Sequence, residues 1–175
     1  MAKKIIILSG KQFCGKDTVA KILLDELKDL NFKRIGLGDA IKLEYGEKHD
    51  LTFEEIEKNK PQYRPDLIAL GDFRRSEDKD YWIKKVIALE GNIIVPDVRV
   101  NRELEYFRAA NAFKIRVECD RKNRALRGEL KSEDDLTETD LDDVTDWDYV
   151  ITNNSAYENL QTEVIQLARK IRIYL

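Results

Sequence analysis

The chain has 175 residues, of which 42% are hydrophobic, and this is enough for one domain with a real core. The formal net charge of −3 gives no bulk affinity for nucleic acid, so we expect no nucleic acid polymer as a partner. Two cysteines and one histidine argue against a disulfide framework and a zinc site. The first apolar run is too short for a signal peptide, and no segment is long enough to span a membrane. The cysteine content makes a reducing cytosol the default compartment, and a monomer or dimer is expected.

The first predicted element is a strand over 4–8, a continuous Ile/Leu run that is typical of a buried parallel strand. The residues from Gly10 to Lys16 fit the spacing G-x-x-x-x-G-K, and a helical pattern over 16–29 follows. A glycine loop between strand and helix directs backbone N–H groups and the positive helix end at a polyphosphate, and the lysine reaches the terminal phosphates. The residues predicted to bind the nucleotide are Gly10, Lys11, Cys14, Gly15, Lys16, Asp17 and Thr18.

The middle of the chain is predicted to be mainly helical. A short second strand is expected over 31–37, followed by a helix with Asp39 as its N-cap. Thr52 and Glu55 have capping-box spacing. Further helices are predicted from Pro61 onward and over 79–89. By analogy with nucleotide-processing α/β folds, this helical insertion at about 39–90 would form the pocket of a second substrate.

The third predicted strand, 93–97, ends in Pro96 and Asp97. We expect the proline to end the strand and turn the chain. An acid at this position of a nucleotide-binding fold commonly organises Mg²⁺, although a simple turn after the strand is the alternative. After Lys16 the usual Ser or Thr is replaced by Asp17, with Thr18 next, and a carboxylate can hold Mg²⁺ directly or through water. Asp17, Thr18 and Asp97 are therefore the predicted metal ligands.

Strands and helices alternate in the last third of the chain. The predicted elements are a helix over 101–110, a strand over 113–118, an arginine-rich helix over 120–129, a strand over 149–152 and a final helix capped by Ser155. The segment 132–148 is very acidic, lacks Lys and Arg, and is interpreted as a solvated loop and helix start without a catalytic role. The alternative is that it repels wrong anions or closes over the site. The alternation predicts a parallel sheet of about five strands, covered by helices on both faces. The glycine loop, Asp97 and Asp120 would then share its carboxyl edge.

Three arginines are candidates for contact with phosphate. Arg99 follows Asp97 by two residues, and Arg124 and Arg127 share one helix face. Guanidinium groups bind phosphate bidentately and keep their charge near neutral pH. Further candidate cations are Lys42, Arg64, Arg74, Arg75 and Arg102. The alternative for each of them is a solvated ion pair with one of the many acids.

With these motifs placed, the chain resembles the P-loop phosphomevalonate kinases of animal type and is similar to the phage deoxynucleoside monophosphate kinases. The likeness rests on Leu8-Ser9-Gly10 through Asp17, Ile41-Lys42, Tyr63-Arg64 through Gly71 to Tyr81-Trp82, Val95-Pro96-Asp97-x-Arg99, Arg124-x-x-Arg127-Gly128 and the region 141–149. It extends over nearly the whole chain. One position departs from it, because phosphomevalonate kinases have a second arginine where Val100 stands here.

The resemblance implies a three-layer αβα P-loop kinase fold in a single domain over 1–175, with a lid-like arginine helix at about 120–131 that closes over ATP. It implies an ATP- and Mg²⁺-dependent enzyme that moves the γ-phosphoryl group onto the phosphate of a small monophosphorylated acceptor. The catalytic residues would be Lys16, Asp17, Arg99, Arg124 and Arg127, and the acceptor would be bound by Lys42, Arg64, Arg74, Arg75 and Arg99. The alternatives are a deoxynucleoside monophosphate kinase and a nucleotide-binding module without turnover.

Overall fold

A computed structural model describes residues 3–174 of the chain. These residues form one parallel sheet of five strands in the order β2-β3-β1-β4-β5. The strands are β1 (Ile5–Ser9), β2 (Lys33–Arg34), β3 (Ile93–Val98), β4 (Phe113–Glu118) and β5 (Tyr149–Thr152). The helices are α1 (Lys16–Glu26), α2 (Leu37–His49), α3 (Phe53–Lys58), α4 (Lys60–Glu77), α5 (Tyr81–Ala88), α6 (Asn101–Ala109), α7 (Arg121–Arg127), α8 (Leu136–Thr139) and α9 (Tyr157–Tyr174). The three-layer α/β fold expected from the alternation is confirmed.

The chain divides into two compact units, and the one that carries the sheet comprises 3–34 and 90–174. One of its core clusters joins Ile6 and Leu8 of β1 to Leu23 of α1 and Val164 of α9. Ile5 and Ile7, which point to the opposite face of the strand, are equally buried. A strand buried on both faces must be apolar throughout, and this explains the uninterrupted Ile/Leu run of β1.

The second unit comprises residues 35–89 and is entirely helical apart from its turns. Tyr45, Ile56 and Leu67 form its small core. The predicted capping box at the start of α3 is confirmed, because the Thr52 hydroxyl accepts from the Glu55 amide at 3.2 Å and the Glu55 carboxylate accepts from the Thr52 amide at 2.8 Å.

The prediction for the segment before this unit was partly wrong. The expected strand over 31–37 is reduced to Lys33 and Arg34, because α2 already begins at Leu37. Asp39 is not the N-cap of α2. Gly36 takes that position, and the Asp39 carboxylate reaches back to accept from the Gly36 amide at 2.8 Å.

The expectation that Pro96 ends its strand was also wrong. β3 continues through Asp97 to Val98, and its pairing with β1 shifts register between Ile7 and Ser9. Proline has no amide hydrogen to donate, and such an irregularity is where a strand interior tolerates it. The shift carries Asp97 and Val98 alongside the start of the glycine loop.

The helix predicted over 120–129 is shorter than expected: α7 begins at Arg121 and ends at Arg127. Within residues 3–174 no helix is long and apolar enough to cross a membrane.

Candidate active site

The glycine loop between β1 and α1 has a backbone that only glycine adopts comfortably at two positions. Gly10 has φ 148° and Gly15 has φ 104°. A Cβ atom on Gly10 would lie 2.2 Å from the Val117 carbonyl oxygen, and one on Gly15 would lie 2.4 Å from the Asn153 Nδ2 atom. Both glycines are therefore required by close packing as well as by dihedral angle.

The Lys16 side chain is buried in the curl of this loop. Its Nζ atom donates to the carbonyl oxygens of Gly10 at 2.6 Å and Lys11 at 2.8 Å, and lies 3.6 Å from the Cys14 sulfur. Burial lowers the pKa of the Lys16 ammonium, while the negative charge of Glu138 acts in the opposite direction. The loop thus holds one cation at its centre, where an incoming polyphosphate would meet it.

Two residues brace the outside of the loop. Asn153, at the end of β5, donates from Nδ2 to the Cys14 carbonyl at 2.8 Å. Arg127 donates from Nη1 to the Phe13 carbonyl at 3.3 Å and from Nη2 to the Asn153 carbonyl at 3.0 Å. The predicted catalytic Arg127 therefore lies against the glycine loop and helps to fix its shape.

Arg124 lies one turn earlier on α7 and is buried. It donates from Nη1 to the Gln12 carbonyl at 3.4 Å and from Nη2 to the Glu133 carboxylate at 3.2 Å. Its Nε atom is buried and has no hydrogen-bond partner among the described residues. A buried donor of this kind is costly unless it gains an acceptor, and a phosphate oxygen would supply one.

Arg99 and Asp97 lie at the carboxyl end of β3. Arg99 is half-buried, and its Nη1 atom donates to the Glu138 carboxylate at 2.7 Å. Its backbone N–H donates to Glu103, at 2.7 Å. Burial raises the pKa of the Glu103 carboxyl, and the nearby Asp97 charge raises it further. The end of β3 therefore offers both a guanidinium and a carboxylate, and Arg99 is linked to the glycine loop through Glu138.

Asp17 and Thr18 occupy the first turn of α1. The Asp17 side chain is 81% exposed and pairs with Arg34 at 2.8 Å. Among residues 3–174 there is no cluster of three or more acidic, His or Cys side chains that could enclose a metal ion. Mg²⁺ is commonly held by one or two carboxylates together with substrate phosphates and water. The exposed Asp17 and the half-buried Asp97 supply hard oxygen donors of this kind, so the residues fit Mg²⁺.

Sequence reasoning missed three residues that shape this region: Glu138, Arg116 and Asn153. The interpretation of the acidic segment as a solvated loop and helix start was wrong for Glu138, whose side chain is 6% exposed. Arg116 is buried on β4 and contacts Ser9 Oγ at 3.2 Å and Asp142 at 3.1 Å. A charged residue inside a strand buried on both faces was a signal available for Arg116. No local pattern marked the other two.

A cavity of about 310 Å³ opens beside the glycine loop, at the ends of β4 and β5. Its lining residues include Lys11, Cys14, Cys119, Asp120 and Asn154. The predicted nucleotide-binding residues Lys11 and Cys14 thus border space that a ligand could occupy, and the volume is within the range of small-molecule sites.

The remaining predicted substrate-binding residues lie in the helical unit, in separate ion-pair clusters. Lys42 pairs with Asp39 at 2.8 Å and also with Glu57. Burial tends to lower the pKa of Lys42, but these carboxylates outweigh it and the pKa is raised. Arg74 pairs with Glu44 and Glu77, and Arg75 pairs with Asp72. Arg64 is exposed.

Comparisons with known proteins identify the family of the chain and support its fold. Residues 8–113 match the family model described as phosphomevalonate kinase. A phosphomevalonate kinase of Drosophila melanogaster is 28% identical over 183 residues, covering 94% of each chain. Among solved structures, a shikimate kinase from Aquifex aeolicus is similar with a TM-score of 0.53 at 15% identity, covering 97% of this chain and 98% of that one. The last likeness supports the fold alone.

The matched region contains the glycine loop, the helical unit and the Asp97–Arg99 strand end, and it spans more than half of the chain. The reading of the chain as a kinase is therefore confirmed, and neither a deoxynucleoside monophosphate kinase nor a module without turnover is favoured. The chain belongs to the phosphomevalonate kinase family and is an ATP-dependent kinase that acts on a phosphorylated substrate.

Proposed function

We propose that the protein is a phosphomevalonate kinase, which transfers the γ-phosphoryl group of Mg²⁺-bound ATP to the phosphate of 5-phosphomevalonate. The observation that carries the chemistry is the loop that curls around Lys16, with Arg99, Arg124 and Arg127 linked to that loop directly or through one carboxylate. The family match supports the choice of acceptor. The two free cysteines are consistent with a reducing cytosol, where we place the protein.

The loop would hold the polyphosphate through its backbone N–H groups and the N-terminus of α1, with Lys16 against the β- and γ-phosphates. The adenine would lie in the cavity bordered by Cys119 and Asn154. Asp17 or Thr18, with Asp97 in support, would hold Mg²⁺, which neutralises charge on the phosphate oxygens when it is bound.

The acceptor oxygen belongs to a phosphate and is already ionised, so no strong general base is required. Rate acceleration then depends on positioning and on cations that match the charge of the transferring group. Arg99, Arg124 and Arg127 would supply those cations. The buried Nε atom of Arg124 is a donor that has no hydrogen-bond partner among the described residues and could bind a phosphate oxygen. Lys42, Arg64, Arg74 and Arg75 are proposed for the acceptor.

The test is ADP formation from ATP and Mg²⁺ with 5-phosphomevalonate, and in parallel with each deoxynucleoside monophosphate and with no acceptor. We expect ADP formation with 5-phosphomevalonate and none with the deoxynucleoside monophosphates or without an acceptor. Lys16→Ala should lower kcat/KM by about 10²–10³-fold, because it removes a preorganised charge from the transition state. Lys21→Ala, on the exposed side of the same helix, is the matched control and should leave the rate unchanged.

Turnover with a deoxynucleotide and none with 5-phosphomevalonate would overturn the proposed acceptor. A Lys16→Ala protein that works at the parent rate would overturn the site itself.

A further inference from the structure

Glu138 is buried in a segment whose other carboxylates are half-buried or exposed. It belongs to the four-residue helix α8, in the acidic stretch where Asp134 and Asp135 are exposed. Its side chain is 6% exposed. A buried carboxylate is costly unless its oxygens are paired, so the partners of Glu138 reveal what keeps it there.

Both carboxylate oxygens are engaged, and by different parts of the site. Oε2 accepts from the backbone N–H of Gln12, in the glycine loop, at 2.8 Å. Oε1 accepts from Arg99 Nη1, at the end of β3, at 2.7 Å. One carboxylate thus bridges the loop that we assign to ATP and the guanidinium that we assign to the transferring or acceptor phosphate.

Gln12 is tied to the same part of the chain by three further bonds. Its side chain donates from Nε2 to the Lys131 carbonyl at 2.5 Å and accepts at Oε1 from the Lys131 N–H at 3.1 Å. Its carbonyl accepts from Arg124 at 3.4 Å. The segment from Arg124 to Glu138 is therefore fastened to one residue of the loop, and Glu138 extends that fastening to Arg99.

The Glu138 bridge fixes the orientation of the Arg99 guanidinium as well as its distance from the glycine loop. An arginine side chain has several rotatable bonds, and a charge-assisted hydrogen bond to a buried acceptor holds its planar guanidinium in one orientation. Misplacing a group that contacts the reacting atoms by about 1 Å can cost roughly 10²-fold in rate.

We propose that Glu138 is a positioning residue of the phosphoryl transfer, which holds Arg99 in a fixed place relative to the glycine loop. The proposal rests on the proposed function of Arg99 as a phosphate ligand. Glu138 touches neither reacting group in this role and acts through Arg99 and the loop amide.

The test is a double-mutant cycle of Glu138→Gln and Arg99→Ala, with kcat and KM for both substrates measured for each variant and ATP binding measured by calorimetry. We expect Glu138→Gln to lower kcat about 10–100-fold while the Kd of ATP stays within about threefold. In the Arg99→Ala background the same change should lower kcat by less than about threefold, because the residue through which it acts is gone.

Asp134→Asn is the matched control, an exposed carboxylate of the same segment, and should leave kcat unchanged. Should the Glu138→Gln protein unfold, Glu138→Asp, which keeps the charge, goes through the same cycle.

Three outcomes would overturn the inference. Full additivity of the two substitutions would mean that Glu138 does not act through Arg99. A lowered Tm with unchanged kcat would make the carboxylate a structural brace only. ATP binding at least about tenfold tighter in Glu138→Gln would make it an anion that the nucleotide displaces. If Arg99→Ala alone leaves kcat and KM unchanged, the proposed function of Arg99 fails instead, and the cycle separates the two failures.

Discussion

At Gly15 a single missing side chain decides whether the phosphate-binding loop can form. Its φ of 104° is unfavourable for any other residue, and a Cβ there would lie 2.4 Å from Asn153 Nδ2. That amide cannot move away without cost, because it donates to the Cys14 carbonyl at 2.8 Å. Dihedral strain and steric overlap therefore act together at this position.

We expect Gly15→Ala to lower the free energy of unfolding by about 2–5 kcal/mol, the sum of left-handed strain and overpacking. It should also weaken ATP binding, because the loop amides would no longer converge. Urea unfolding and calorimetry measure the two effects.

Gly91→Ala is the matched control for this substitution. Gly91 has φ 83°, but nothing lies within 4 Å of an added Cβ, so only the strain of about 1–2 kcal/mol applies. ATP binding should be unaffected there. Equal losses of stability and binding at the two glycines would contradict the account.

At the scale of the element, α9 illustrates how an amphipathic helix is fixed to the sheet. The predicted stripe of Leu160, Val164, Leu167 and Ile171 is buried, and it belongs to the core cluster that also contains α1 and the strands. The opposite face of the helix is solvated. A spacing of three and four residues was enough to identify the buried face.

Leu167→Ala should lower the free energy of unfolding by about 2–5 kcal/mol, because it leaves a cavity in a close-packed interior. Chemical denaturation of the purified chain measures this value. Ile173, two turns further on the same helix, is 85% exposed, and Ile173→Ala should change stability by less than about 0.5 kcal/mol. Similar losses at both positions would show that α9 does not pack as described.

At the scale of the whole molecule, the chain is dense in charge, with 31 Lys and Arg and 34 Asp and Glu. Ion pairs with both side chains exposed, such as Arg75–Asp72 and Lys131–Glu129, contribute little to stability. Glu44 of the helical unit differs, because it is 11% exposed and accepts from Arg74, Tyr81 and Lys85. Burial would raise the pKa of Glu44, but the three donors outweigh it and lower the pKa to about 2.

A carboxyl whose pKa is lower in the folded state than in the unfolded chain stabilises the protein when the pH is above its unfolded-state pKa. That stabilisation is complete above about pH 4.5 and is lost as the pH falls towards about 2. We expect Glu44→Gln to destabilise the protein at pH 7 by roughly 1–3 kcal/mol and to flatten the loss of stability between about pH 4.5 and 2. Urea unfolding over this pH range measures both.

Glu77→Gln serves as the control, because Glu77 also pairs with Arg74 at 3.2 Å but is 52% exposed. Glu77→Gln should leave the loss of stability at acid pH unchanged. If stability fell with pH at the same rate in wild type and in Glu44→Gln, the pH-dependent stabilisation could not be assigned to Glu44.

The features that the sequence alone determined are those with a local cause. The glycine loop depends on backbone conformations within seven residues, the capping box at Thr52 on a bond between residues three apart, and the buried strands on uninterrupted apolar runs. Each signal is contained in the short window that folds into the element. Phosphate chemistry could be predicted because it depends on that loop, and the family could be predicted because its short motifs recur over nearly the whole chain.

The tertiary structure decided the features that depend on contacts between distant residues. Glu138 meets Gln12 across 126 positions, and Asn153 meets Cys14 across 139. The register shift at Pro96 depends on the neighbouring strand. A carboxylate in an acidic segment has the same local pattern whether it is solvated or buried, and only the partners brought to it by the fold distinguish the two.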